Sequence, residues 1–160
     1  MNAATRAYND AVMAFGQVPD SLEMMRQQLR DFSSVPLMLM ISRPFGDVLE
    51  FLPELVLNLC RGSASSIYLA RNMMLTLPKS EVERRVVADL ESLVEGMNAD
   101  ELMQLSDLLI ELGSSAGVAR VRAYAAGQAD EEMRRLAEDL DGVERDASRW
   151  RLSRVERIYR

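Results

Sequence analysis

Apolar residues along this chain recur at spacings of three and four, and each such run is closed by a proline, a glycine or a small polar residue. That is the pattern of amphipathic helices bounded by caps and breakers, and no stretch carries the strict alternation of a half-buried strand. Ala3 to Phe15 reads as a first helix, with Gly16 placed to stop it and Pro19 just beyond. Asp20 or Ser21 then caps a second, with Glu23 as the capping-box partner of Asp20 and Leu22, Met25, Leu29 and Phe32 on one face.

The chain is organised around its least polar part, Val35 to Pro78. Val35 to Cys60 carries only four charges, Arg43, Asp47, Glu50 and Glu54. A membrane-crossing helix needs about 20 consecutive apolar residues. Here the first run, Val35 to Ile41, is seven residues long and stops at Ser42-Arg43-Pro44. Glu50, Pro53 and Glu54 interrupt the next, and a carboxylate in hydrocarbon is costly. Proline is tolerated in a first helical turn and breaks an interior. Pro36, Pro44, Pro53 and Pro78 therefore divide the segment into short buried helices: one after Pro36, one from Pro44 to Leu52, one from Pro53 to about Arg61 and one from Ala64 to Leu77, with Gly62-Ser63 as a hairpin turn.

Ser80-Glu81-Val82-Glu83 reads as a capping box opening a helix that runs to Gly96, with Glu81 four residues before Arg85 and a buried stripe of Val82, Val86, Leu90, Leu93 and Met97. Asn98 to Glu101 caps the next helix, which buries Leu102, Leu105, Leu109 and Leu112 and ends at Gly113. The two form an antiparallel helical hairpin over residues 80–113. Ser114-Ser115 precedes an alanine-rich helix, Val118 to Ala126, whose small side chains suit close packing. A last helix runs from about Ala129 to near the C-terminus, over 129–160, with Gly142 as a weak point. Its stripe of Met133, Leu136, Leu140, Val143, Ala147 and Trp150 is a short coiled-coil-like seam, and Asp130–Arg134, Glu131–Arg135 and Asp141–Arg145 are spaced to pair on its wet side. Glycines at 96, 113 and 127 hint at a repeat, but the residues between them do not match. The fold expected is all-α: an irregular bundle of seven to nine short antiparallel helices in one domain spanning 1–160.

Composition narrows the function more by exclusion than by assignment. At 160 residues, 48% hydrophobic and 28% charged, the chain can bury one core without staples. A net charge of −6 argues against non-specific nucleic-acid binding. The hairpin over 80–113 is no helix-turn-helix either, since Asp100, Glu101, Asp107 and Glu111 would face phosphates. A single cysteine allows no internal disulfide, and Arg6 and Asp10 interrupt any apolar signal core, so a cytoplasmic location is expected. Lys79 is the only lysine, which suggests a GC-rich, bacterial genome.

The chain has no histidine, which removes Ser-His-Asp and Cys-His catalysis, histidine zinc sites and the Glu-x-x-His di-iron motif. Gly113-Ser-Ser-Ala-Gly117 lacks the Lys-Ser/Thr ending of a phosphate loop. Cys60, near a helix C-terminus, reads as a buried apolar side chain rather than a thiol activated by Arg61. Glu50 and Glu54 share a helix face, where they either pair with Arg43 or Arg61 or form a polar site. Glu91/Glu95 and Asp107/Glu111 place like charges four apart on the outer faces of the hairpin, a solvated acidic surface or one awaiting a basic partner.

Two features point to protein contacts. The C-terminal tail carries six arginines from Arg145 to Arg160, with Trp150 and Tyr159 among them, a composition suited to an interface and equally to pairing with the chain's own acidic hairpin. Eleven methionines, among them Met38 and Met40, would line any groove left over Leu37 to Leu57, where a partner helix could lie. The sequence thus predicts a non-enzymatic protein-binding module without cofactor or metal, a regulator, adaptor or chaperone that holds another protein or a second copy of itself. Its expected contact residues are Arg149, Trp150, Arg154 and Tyr159 in the tail and Met38, Met40 and Phe51 in the centre. Two alternatives are a membrane-active protein that inserts its central hairpin and a binder of small apolar ligands in a cavity gated by Glu50 and Glu54.

Overall fold

Ten helices fill the described part of the chain, a computed structural model that describes residues 21–32, 35–41, 43–143 and 150. In order they are α1 (Ser21–Arg30), α2 (Val35–Met40), α3 (Phe45–Leu49), α4 (Leu52–Arg61), α5 (Ala64–Thr76), α6 (Lys79–Ala88), α7 (Leu90–Val94), α8 (Ala99–Leu112), α9 (Ser115–Ala126) and α10 (Glu131–Asp139). No strand occurs among the described residues, and the all-α bundle has one more helix than the upper end of the expected range. The expected helix over Ala3 to Phe15 lies outside the described residues.

The central stretch folds as a set of short helices because its prolines fall at helix starts. Pro44 precedes α3, and Pro53 stands in the first turn of α4. Helix α4 is the axis of the bundle: it packs against α1, α5, α6 and α8 and buries Leu52, Leu55, Val56, Leu59 and Cys60. Gly62 ends it, and the Ser63 hydroxyl caps α5 by accepting from the Ser66 amide at 3.3 Å.

Polar side chains hold the α1 terminus in place. The last carbonyls of a helix have no partner within it. Asn58, fully buried, donates from Nδ2 to the Leu29 carbonyl at 2.6 Å, and the Ser66 hydroxyl donates to the Phe32 carbonyl at 3.2 Å. Phe32 itself has φ +57°, the left-handed region that an aromatic residue rarely enters. Of the stripe expected on α1, Met25 and Leu29 are buried, whereas Leu22 is exposed.

The helix expected to run unbroken to Gly96 is two helices. Pro78, with its fixed φ, takes the cap position of α6, so Ser80 lies inside the first turn and caps nothing. The helix breaks at Asp89, and the break shifts the phase of α7, so that Val94 turns inward where Leu93 was expected. Further along, local signals decide the structure. Asn98 accepts from the Glu101 amide at 2.9 Å, and the Glu101 carboxylate accepts from the Asn98 amide at 3.3 Å, which is a full capping box. Gly113 ends α8 in the left-handed conformation, φ +76°. Ser114 caps α9 through the Gly117 amide, and the helix starts three residues before the expected Val118.

Helix α10 begins at Asp130, whose carboxylate accepts from the Met133 amide at 3.0 Å, and ends at Asp139 rather than near the C-terminus. Asp130 is thus a cap, while Glu131 pairs with Arg135 as expected, at 2.5 Å. Asp141 pairs with Arg122 of α9 at 3.0 Å, and its expected partner Arg145 lies outside the described residues. Met133, Leu136, Leu140, Val143 and Trp150 are all buried in the one continuous core. None of the helices among the described residues is long and apolar enough to cross a membrane.

Candidate functional site

The site is an apolar groove at the edge of the central stretch. In α2, Leu37 and Met40 turn into the core while Met38 stays 45% exposed. Ile41, just past the helix, is 71% exposed, and Phe45, opening α3, is 57% exposed. These two flank Arg43-Pro44, between the end of one short helix and the start of the next. Helix α5 packs against α2 and supplies the facing wall through Leu69, Asn72, Met73 and Thr76, with Leu77 beyond its end. The space enclosed is about 380 Å³.

The walls offer aliphatic, thioether and aromatic surface. Thr76 spends its hydroxyl inside its own helix, donating to the Met73 carbonyl at 2.7 Å, so it shows the groove mainly its methyl. Asn72 and Arg43 are the polar members. Among the described residues no carboxylate lies within ion-pair distance of Arg43, which leaves a cation beside an apolar trough. Such a trough takes up apolar side chains and sets their direction by one polar contact.

The expected contact residues divide three ways. Met38 is exposed on α2 next to the groove elements. Phe51 is a core residue at 2% exposure and lines no part of the groove, whereas Met40, at 1%, lies deep in the groove wall rather than on the open surface. The reason is phase: Met40 shares the inward face of α2 with Leu37, and Phe51 stands where α3 passes into α4, beneath the Arg26 guanidinium at 5.3 Å from its ring centre. Trp150 is also buried, at 4%, and donates its indole N–H to the Asp107 carboxylate at 2.5 Å, so it serves this chain's own packing. Arg149, Arg154 and Tyr159 lie outside the described residues. Ile41 and Phe45, the most exposed of the groove's apolar side chains, were missed by the sequence reading. Their signal was present in the apolar residues flanking Ser42-Arg43-Pro44, since a turn leaves its neighbours little core to reach.

Several of the remaining charged side chains pair within the chain. Glu54, 5% exposed, is reached by Arg30 at 3.5 Å and Arg26 at 3.8 Å, both from α1, and not by Arg43 or Arg61. Arg61 instead binds Glu101 of α8 at 3.1 Å. Glu50 is exposed, so the two glutamates share no buried site. Asp107 and Glu111 are gathered by one cation, Arg71 of α5, which relieves their like charge. Asp107 is 8% exposed, a buried member of α8 rather than part of an outer acidic face. Glu91 is paired with Arg120 at 3.1 Å.

Burial pushes the Cys60 thiol up to about 12, with Glu101 adding to the effect and Arg61 opposing it, which disfavours the reactive thiolate. A second cleft, of about 370 Å³ between α4 and α6, is lined by Arg84 and Arg85, both clasped by Glu81. Among the described residues no cluster of carboxylate or thiol side chains is arranged to hold a metal ion. No protein-family model, no curated protein and no solved structure matches this chain.

Proposed function

We propose that this chain is a non-enzymatic protein-binding module, an adaptor, regulator or chaperone, that takes an amphipathic helix of a partner protein into the groove between α2–α3 and α5. The observation that carries this reading is the pair Ile41 and Phe45, which among the exposed large apolar side chains of the described residues are the two that line the apolar trough. Exposed apolar surface gathered at one place marks a contact site. A helix presents its apolar residues at i, i+3, i+4 and i+7, and a trough of this size receives two or three of them. Methionine at Met40 and Met73 lets the walls adapt to the side chains that enter. Arg43 selects a partner with a carboxylate beside that apolar stripe, since a charge pair at the rim fixes orientation.

A second reading is favoured by the volume alone: about 380 Å³ falls within the range of pockets for small apolar ligands. Purifying the full chain from its source cell and weighing the intact complex separates the two. The protein-binding reading expects a discrete polypeptide partner whose bound segment has helical apolar spacing and a flanking carboxylate. The double substitution Ile41→Asp/Phe45→Asp removes that partner, and Arg43→Glu weakens it, both without loss of helicity. A partner retained by the double variant refutes the groove as its site. A lipid or metabolite lost with the double variant moves the assignment to ligand binding, and binding of the chain to anionic vesicles moves it to membranes.

A further inference from the structure

Trp150 is the one described residue beyond Val143, and it is not on the surface. Its indole N–H donates to Oδ1 of Asp107, and the other carboxylate oxygen accepts from Arg71 Nη1 at 3.4 Å. Arg71 also binds Glu111 through both carboxylate oxygens, with Nε to Oε2 at 3.3 Å. The three elements meeting here are far apart in sequence: Arg71 belongs to α5, Asp107 and Glu111 to α8, and Trp150 follows a glycine, Gly142, in the left-handed conformation. A carboxylate this buried is stable only with charged or hydrogen-bonding partners around it. A hydrogen bond to an ionised acceptor is stronger than a neutral one, and the indole adds the largest apolar surface of any side chain.

We infer that the Trp150–Asp107 contact is a clasp that fastens the chain at Trp150 onto α8, with Arg71 holding the receiving carboxylate in position. It is a conformational device: while it is closed, Trp150 is unavailable as an anchor for another molecule, and the Asp107 oxygen that it occupies is closed to a basic or aromatic segment arriving from outside. An interaction made through Trp150, or at Asp107, has to open the clasp first. The inference does not depend on the groove being a binding site.

Because Trp150 is the chain's only tryptophan, fluorescence of the full-length protein reads the clasp directly. The wild-type chain is expected to emit as a buried indole, to resist acrylamide quenching, and to be cut slowly by trypsin after Arg149, Arg151 and Arg154. Asp107→Ala is expected to shift the emission towards that of solvent-exposed indole and raise quenching and cleavage several-fold, with helicity retained. If Asp107→Ala lowers helicity, Trp150→Phe decides: it keeps an apolar ring and removes only the N–H donor and part of the surface, and faster cleavage at the same arginines is expected. A wild-type indole quenched as freely as free tryptophan overturns the clasp. So does an Asp107→Ala chain of normal helicity with unchanged emission and cleavage, or, where that variant unfolds, a Trp150→Phe chain cut at the wild-type rate.

Discussion

Replacing Gly117 by alanine tests the closest helix approach in the bundle. In an exposed helix that change stabilises by about 1 kcal/mol, because glycine gives up more backbone freedom. Here α9 lies against α8, and a Cβ on Gly117 would stand 2.7 Å from Cδ2 of Leu109 and 2.9 Å from the Ser114 hydroxyl. Leu109 is fully buried, so its methyls can yield only against the packed core around them. The Ser114 oxygen is held as the cap of α9, accepting from the Gly117 amide at 3.2 Å. Forcing a methyl into a packed interior costs about 1–3 kcal/mol. Displacing the cap costs about 1 kcal/mol more. Set against the propensity gain, the net is a loss of about 1–3 kcal/mol. Gly127 is the control: its φ is −78°, and an added Cβ would meet nothing nearer than 3.5 Å. Gly127→Ala should therefore stabilise by about 0.4–1 kcal/mol through the unfolded chain. Urea titrations followed by circular dichroism at 222 nm measure both. A Gly117→Ala chain as stable as wild type, or the same sign for both substitutions, would refute the packing of α9 on α8.

Other expectations follow from burial. Met40→Ala should cost about 2–5 kcal/mol in the same titration, whereas Met38→Ala, on the exposed side of the same helix, should change stability by less than about 1 kcal/mol; equal effects would place both residues on one side. Cys60 should ignore thiol reagents in native protein at pH 8 and react on unfolding, and rapid native labelling would contradict its burial. With a folded pKa of about 12 against an ordinary 9.0, its neutral thiol contributes stability that is complete below about pH 9 and declines as pH rises towards 12. The slope is about 1.4 kcal/mol per pH unit. Comparison with Cys60→Ala isolates that slope from other titrating groups, and an identical pH dependence would show the thiol to be ordinary.

The parts of the fold legible in the sequence are those decided within a few residues. The Asn98–Glu101 capping box, the left-handed Gly113, the Ser114 cap and the prolines at helix starts each act on their own turn. The errors share a different cause, which is pairing across the chain. Glu54 finds Arg26 and Arg30, residues 24 and more positions away, because α1 lies along α4. Asp107 turns inward because Arg71 and Trp150 meet it from 36 and 43 residues away, and no spacing on α8 announces that. The break at Asp89 has no glycine or proline to signal it and follows from how Leu90 and Val94 reach the core. The groove was half legible: the apolar excess of the centre called for one, but only the packing of α2 on α5 sets Met38 and Met40 on opposite sides of the helix.

The claim that the groove receives a partner helix is tested most directly by placing a photo-crosslinking amino acid at position 45 of the full chain and irradiating the source cell. A control at Gln27, exposed on α1 and away from the groove, measures chance encounters. The account predicts one dominant polypeptide adduct from position 45, absent from position 27, mapping to a segment with apolar residues at helical spacing and a carboxylate beside them. Adducts of equal yield and identity from the two positions, or none from position 45, would contradict it.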